Sequence, residues 1–246
     1  MAVDVERLER AVVAGVAPLD SEELPGWLLP LDRGEVNRAI SAVPLHHGPI
    51  DSSLVPAIVE RYRAHGLQAQ FRLADVPGLA ALQAELAAAG FTATLPTFMQ
   101  LAETARIQEP EAGPDVTLTA AADADWNSVF HSVAFTHGAA TERAARLARV
   151  PSSLYATLRV DAAPVAVGAL TFADGLASLH SMRTAESHRC RRHGRTLVLA
   201  LAQAARARGV QQLFLQVEAA ASPARALYDK LGFSTLWRYR YWKRPA

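Results

Sequence analysis

The chain holds a single cysteine, Cys190. No disulfide can form within it, which excludes a small, disulfide-braced secreted scaffold and fits a reducing compartment. Lysine is almost as scarce. Only Lys230 and Lys243 are lysines, and arginine supplies the rest of the 25 basic residues. That bias reads first as codon usage, but it matters locally because arginine is the better fork for phosphate. Against 24 acidic residues the net charge is +1, too small a surplus for a generic nucleic-acid binder, which has to neutralise phosphates. Long apolar runs are missing too. A stretch such as Thr196 to Ala205 is too short to span a bilayer and leads into arginines, so no membrane partner is expected. Met1-Ala-Val-Asp-Val-Glu-Arg7 has no basic segment followed by an apolar core, so no signal peptide is expected and the location expected is cytoplasmic. The histidines His46, His47, His180, His188 and His193 lack paired ligand spacing, so no metal is expected.

What is present is a globular composition, with 50% hydrophobic and 20% charged residues over 246 positions, enough for one large domain or two small ones. Val3 to Val16 has apolar residues at helical spacing. Gly26–Leu31 and Glu35–Val43 read as strands around a turn at Asp32-Arg33-Gly34. Asp51 or Ser52 caps a helix that runs to His65 and stops at Gly66. Leu67–Leu73 alternates as a strand, Pro77–Ala89 is a helix closed by Gly90, and Phe91–Leu101 is a strand broken at Pro96. Glu103–Asp115 loses periodicity and carries Pro110, Gly113 and Pro114, so residues 105–115 are expected to be a linker between an N-terminal α/β domain (1–104) and a second domain (116–246).

The second half has a clearer rhythm. Val116–Thr119 is a strand, and Asp123–Val133 and Ala140–Val150 are helices. Tyr155–Val160, Val165–Phe172 and Leu176–Arg183 are three strands joined by tight turns. A long helix from Gly194 to Arg208 follows. Then come a strand at Gln212–Val217, a helix opened by Ser222-Pro223 with serine at the cap, and a last strand, Phe233–Trp242. The expected architecture is α/β: an antiparallel meander followed by a helical crossover, giving a mixed sheet with helices on its faces.

Two segments carry chemistry. Ser187-His-Arg-Cys-Arg-Arg-His-Gly-Arg-Thr-Leu197 lies between a strand and the start of the long helix. Such a turn points free backbone N–H groups and the positive helix end at one spot, and Arg189, Arg191, Arg192 and Arg195 add charge there. Together these make a cradle for a pyrophosphate; the alternative is a solvated basic turn. The second segment is Leu213-Phe-Leu-Gln-Val-Glu-Ala-Ala-Ala-Ser-Pro followed by Ala224-Arg-Ala-Leu-Tyr-Asp-Lys-Leu-Gly-Phe233.

Both segments resemble motifs of the GNAT superfamily of acyl-CoA-dependent N-acyltransferases. The first is similar to the family's Arg/Gln-x-x-Gly-x-Gly/Ala loop, with Arg189 first, Gly194 last, and Arg192 where the family has its first glycine. The second resembles the family's closing signature, with Ala221 in place of the family asparagine. The resemblance covers about Val116 to the end. Over Met1–Ala102 the likeness is to two-halved members whose first half is a degenerate copy. It implies a GNAT fold preceded by a smaller, GNAT-like α/β domain, and an N-acetyltransferase that moves an acetyl group from acetyl-CoA directly to a primary amine.

The resemblance also implies site roles. Backbone groups around Met182, Arg183 and Thr184 would meet the pantetheine arm. Arg189, Cys190, Arg191, Arg192, His193, Gly194, Arg195 and Thr196 would hold the phosphates, with Ser222 and Tyr228 beside the arm. Tyr228 would be the general acid for the departing thiolate, its other role being packing. The base stays open between Glu218, a surface Glu186 and water. At Arg192 either φ is ordinary or the side chain replaces the contacts a glycine would permit. Cys190 fills a loop position rather than serving as a nucleophile, since no histidine and acid are arranged around it. In the family the region of Trp126, Phe130, Phe135 and His137 shapes the acceptor pocket, although helical spacing makes Trp126 and Phe130 core residues. Trp237, Tyr239 and Tyr241 alternate with Arg238 and Arg240, so one face of the tail packs or forms a homodimer edge. The departures at Arg192 and Ala221 keep two other readings open: a weak or inactive acyl-CoA-binding regulatory module, and an interaction scaffold that binds no CoA.

Overall fold

The computed structural model describes residues 3–107, 115–132 and 137–245, with backbone alone at 137–139. In chain order the elements of the first half are α1 (Val5–Ala14), β1 (Asp20–Leu24), β2 (Trp27–Leu31), β3 (Val43–Pro44), α2 (Val55–Ala64), β4 (Gln70–Ala74), α3 (Ala80–Ala88) and β5 (Thr92–Glu103). Those of the second half are β6 (Val116–Thr119), α4 (Ala124–His131), α5 (His137–Ala148), β7 (Leu154–Val160), β8 (Ala163–Ala173), β9 (Leu176–Thr184), α6 (His193–Ala207), β10 (Gln212–Glu218), α7 (Ser222–Lys230) and β11 (Ser234–Lys243). The order expected for the second half is present element for element.

By contacts the chain divides into two compact units. The first comprises residues 1–99, 217–220 and 235–246, and the second 100–216 and 221–234. The division therefore does not run through 105–115. β5 passes from one unit into the other, and the final strand belongs to the first unit. Residues 104–107 are not slack either. Thr104 N donates to Gln211 O at 2.8 Å, and Ile107 is buried. Residues 108–114, the centre of the expected linker, lie outside the described residues.

In the first unit Asp4 caps α1 by accepting from Arg7 N at 3.0 Å, and Leu8, Ala11 and Val12 bury the face that helical spacing aligns. β1, β2 and β3 form a small sheet in that order. The hairpin is β1–β2, turning at Pro25-Gly26 with Gly26 at φ 76°, and not at Asp32-Arg33-Gly34 as expected. β1, Asp-Ser-Glu-Glu-Leu, is an exposed edge strand, so no apolar alternation marks it. Residues 37–39, expected within a strand, form a 3-10 turn instead, and the Asp32 carboxylate accepts from Leu19 N and Arg33 N. β11 pairs antiparallel with β4 from Tyr239↔Ala74 to Lys243↔Gln70, and β5 flanks it on the other side. β5 runs through Pro96, which was expected to break it. Leu95 takes a left-handed φ of 51° and the Pro96 carbonyl still accepts from Ala219 N at 2.8 Å. Trp27, Ile58, Tyr62, Phe71 and Leu82 form the core. Beside it Glu9 and Arg72 make a buried ion pair at 2.6 Å, with the guanidinium 5.3 Å from the centre of the Tyr239 ring. Burial lifts the Glu9 carboxyl above its usual range, and Arg72 opposes that rise.

In the second unit the strand order is β5-β10-β9-β8-β7-β6. β6 to β9 form the antiparallel meander, and α6 carries the chain to β10, which lies parallel to β9. Asp123 caps α4 by accepting from Trp126 N at 2.7 Å, and Trp126 Nε1 donates to Gly168 O at 2.9 Å. Leu197, Val198, Leu201 and Ala202 bury one face of α6, and Gly209, at φ 74°, follows its end. Ser222 is the first residue of α7 rather than its cap. Ala221 stands at the cap and has no side-chain acceptor to offer.

Because β11 belongs to the first unit, a fragment of residues 105–246 would carry Trp237, Tyr239, Tyr241 and Trp242 on an unpaired strand. Such a fragment is expected to aggregate and to show no cooperative melt by circular dichroism, whereas the whole chain melts cooperatively.

Candidate acyl-donor site

The site begins in the sheet of the second unit. β9 and β10 pair only at Ala177↔Leu213 and Ser178↔Phe214, although β9 runs on to Thr184. Among the described residues, no ladder joins the rest of β9 to β10. A bulge marks the same stretch. The β8–β9 register goes from Ala169↔His180 to Val167↔Arg183, so Ser181 and Met182 together oppose Gly168. Ser181 takes a left-handed φ of 55°. A bulge leaves one residue out of the ladder and re-aims the strand. Gly168 makes this bulge fit, because a Cβ there would lie 2.5 Å from Met182 Sδ and 3.2 Å from Leu201 Cδ1. Met182, Arg183 and Thr184 are thus half-buried at the end of β9, past its pairs with β10, and there the Arg183 guanidinium donates to the Met182 carbonyl at 3.0 Å.

The basic loop follows. Glu186–His188 is a single 3-10 turn, after which Cys190 and Arg192 stand at φ 62° and φ 65°. Arg192 therefore does not hold the ordinary φ that was one of the two courses expected of it. It adopts the left-handed conformation a glycine would adopt freely, at a cost of about 1–2 kcal/mol. It caps α6 without a side-chain bond, and the first helical hydrogen bond recorded runs from Thr196 N to Arg192 O at 3.1 Å. The amides of His193, Gly194 and Arg195 lie ahead of that bond, at the positive end of the helix. Arg189, Cys190, Arg191 and Arg192 are exposed. Arg189 sits 3.4 Å from Glu186, and both side chains are so open to water that the pair holds Arg189 weakly.

His193 offers its amide but not its ring. The imidazole is buried, neither ring nitrogen has a hydrogen-bond partner in the protein, and burial first, then His188 and Arg191, lower its pKa. Gly194 lets α6 approach α7, since a Cβ there would lie 3.2 Å from Leu227 Cδ2. A cavity of about 480 Å³ lies beside this contact, lined by Arg192 and Arg195 from the start of α6 and by Pro223, Ala226, Leu227, Lys230 and Leu231 at α7.

Tyr228 is buried in α7 with its ring edge-on to Phe233 at 5.7 Å. Burial pushes its hydroxyl up to about 12, and the Arg183 guanidinium acts in the opposite sense. That electrostatic coupling ties Tyr228 to the end of β9. Ser222 is exposed at the start of α7. Glu218 is exposed at the end of β10 and groups with the first unit, and Glu186 is exposed as expected.

Trp126 and Phe130 are core, stacked at 4.6 Å; Phe135 and the side chain of His137 lie outside the described residues. Trp237, Tyr239 and Tyr241 are buried in the first unit, so that face of the tail packs, while Arg238 and Arg240 pair with Asp75. Two contributors escaped the sequence reading: Gly168, signalled only by a glycine inside an apolar strand, and Lys230, which no pattern marks. Among the described residues there is no group of three metal-ligating side chains, and no helix is long and apolar enough to cross a membrane.

A meander, a bulged strand parting from its parallel neighbour and a basic turn at a helix start define the class: this is the fold of the GCN5-related N-acetyltransferases. Residues 2–242 match the family described as "Probable histone acetyltransferase Rv0428c C-terminal", and the chain belongs to that family. Among solved structures it is similar to a GCN5-related N-acetyltransferase from Kribbella flavida (21% identity, 98% of this chain and 96% of that one, TM-score 0.73). It is also similar to a tandem GNAT protein from the clavulanic acid biosynthesis pathway (16% identity, 84% and 76% covered, TM-score 0.63). A third is a GCN5-related N-acetyltransferase from Sphaerobacter thermophilus (15% identity, 84% and 74% covered, TM-score 0.59). No curated protein matches the sequence.

The left-handed turn at Arg192 yields a test by denaturant melts. Arg192→Gly is expected to keep stability within about 1 kcal/mol of the parent, because relieved strain offsets added chain entropy. Arg192→Val, whose branched Cβ resists this conformation, is expected to lose about 1–3 kcal/mol.

Proposed function

We propose that the protein is an N-acetyltransferase that takes its acetyl group from acetyl-CoA and delivers it directly to a primary amine. The observation that carries this reading is the start of α6. Amides ahead of the first helical bond meet the positive helix end there, and Arg189, Arg191, Arg192 and Arg195 belong to the same turn and first helical residues. That donor set suits a diphosphate in charge and geometry. The cytoplasm, where acetyl-CoA and free amines meet, is the compartment this reading places it in.

The residues then divide the work. The α6 amides and the loop arginines hold the diphosphate. The end of β9 at Met182–Thr184, past its pairing with β10, is where an amide-bearing arm would take backbone hydrogen bonds, as a further strand would. An amine that has lost its proton attacks the thioester carbonyl, and the sulfur leaves with the bonding pair. Tyr228 serves that sulfur. Burial raises its pKa to about 12, so the phenol keeps its proton at neutral pH and the hydroxyl is a donor there. An ordinary thiol titrates near ~8.5, so the phenol holds its proton more firmly than the departing thiolate does. Tyr228 therefore acts as a general acid chiefly by hydrogen-bonding the sulfur as charge develops, in a site where burial strengthens that bond. Water takes the proton released by the amine. The family description names a histone acetyltransferase, and a lysine side-chain amine that has lost its proton meets the same chemical requirement.

A second reading, an acyl-CoA-binding regulatory module with little turnover, draws on Ala221, which leaves the α7 cap without a side-chain acceptor. Transfer of acetyl to any member of an amine panel that includes basic peptides decides for the enzyme. Tight CoA binding without transfer decides for the module, and no CoA binding by calorimetry rejects both in favour of a scaffold.

Two outcomes are expected of variants. Tyr228→Phe lowers kcat by about a hundredfold while CoA affinity is unchanged. In the parent, tyrosine ionisation removes no activity until the pH nears about 12. Replacing Arg189, Arg191 and Arg195 together by alanine weakens CoA binding in calorimetry by at least about tenfold and flattens its salt dependence; unchanged affinity would refute the loop assignment.

A further inference from the structure

His47 belongs to the first unit, and no step of the proposed reaction uses it. It is half-buried on the segment that follows β3, and its ring meets Trp237 of β11 edge-on, with centroids 4.6 Å apart at 87°. Three contacts hold this segment. Leu45 N donates to Gly26 O at 2.9 Å in the β1–β2 turn. The His47 carbonyl packs on the 3-10 turn Pro77–Leu79, where a Cβ at Gly78 would lie only 2.1 Å from that oxygen. The imidazole against Trp237 is the third, and of the three it alone can titrate.

The surroundings of the ring are rich in donors and positive charge. Burial first, then Arg72 of β4 and the neighbouring His46, lower the pKa of His47 to about 4. No carboxylate acts in the other direction on it. Glu9 of α1 is committed to Arg72, and Asp75 to Arg238 and Arg240 of β11. The Pro77–Leu79 turn brings no ionisable side chain. The Trp237 indole N–H and the Arg72 Nε and Nη2 are buried donors with no acceptor among the described residues. An imidazolium would add one more donor and one more charge to a place that can satisfy neither.

We infer that His47 is an acid-sensitive latch of the first unit: as a neutral ring it pins residues 45–48 to Trp237, and once protonated it leaves that seat and frees the segment from β11. This does not depend on the acyl-CoA reading, since every group in it belongs to the first unit. The sign follows from counting protons. Between about pH 6.5 and 4 the released ring binds a proton that the seated ring refuses. The latch is therefore closed above about pH 6.5 and opens as the pH falls towards 4. Glu9 acts in the opposite sense, because burial holds its carboxyl above the usual range, so the share of His47 is read from variants.

The test compares the whole protein with His47→Phe, which keeps an aromatic ring without a titrating group, by hydrogen exchange and by NMR of the histidine rings. In the parent, the Trp237 indole N–H and the amides of residues 45–48 are expected to open about tenfold more at pH 5 than at pH 6.5, after correction for the intrinsic exchange rate. His47→Phe is expected to show no such gain. The parent His47 ring is expected to stay neutral until the pH nears about 4. A parent ring that titrates near 6.5, or a gain in opening that persists in His47→Phe, overturns the inference. Should His47→Phe fail to fold, His47→Gln, which cannot titrate either, takes its place, and the ring titration of the parent stands as a test by itself.

Discussion

The β9–β10 ladder stops after two pairs, and the rest of the second unit is arranged around that stop. Where a ladder stops, backbone donors and acceptors need other partners, and the Met182 carbonyl finds one in the Arg183 guanidinium. Here the stop coincides with a bulge at Ser181–Met182, a glycine at position 168 that makes room for it, and a tryptophan whose indole N–H is satisfied by the glycine carbonyl. These features reinforce one another. Filling position 168 would push Met182 out, and re-pairing β9 would remove the edge that an extended ligand arm could use.

The loop after β9 tolerates strain in the same place. Cys190 and Arg192 both hold left-handed φ without being glycine. Such residues gather where the surrounding structure over-determines them, and here the return is the orientation of the α6 amides. Replacing a glycine by arginine thus keeps the shape of the turn and adds a charge beside it. A simple comparison of residue types would count Arg192 as a loss; the backbone conformation shows what is retained. His193 illustrates the opposite lesson. It looks like another cation in the loop, but its ring is buried and burial disfavours the charged form, while its amide stands at the start of the helix.

The first unit meets a different constraint. Its sheet contains β11, the last strand of the chain, and a buried ion pair, Glu9–Arg72, beside the aromatic residues of that strand. Removing two opposite charges from water is costly unless they stay paired, so the pair fixes geometry more than it adds stability. Such a unit depends on the far end of the chain, and a reading that cuts the sequence at a polar, proline-bearing stretch cannot reveal that dependence.

The sequence alone determined the features that are local. Helical spacing, an aspartate before Ala124, and glycines after α2, α3 and α6 announce elements within a residue or a few of where they lie. The strand–turn–helix order around Arg189 placed the candidate cradle as well. What it left open depends on partners distant in the chain. β1 escaped notice because an edge strand buries little and so shows no alternation. The Pro96 break did not occur because Leu95 absorbs the distortion while the strand continues. Which unit holds β11, where the β9–β10 ladder stops, which φ Arg192 adopts and which cations ring the α6–α7 cavity were decided by tertiary structure. Each is an outcome of packing between segments far apart in sequence, and a pattern of neighbouring residues does not encode which distant surface it will meet.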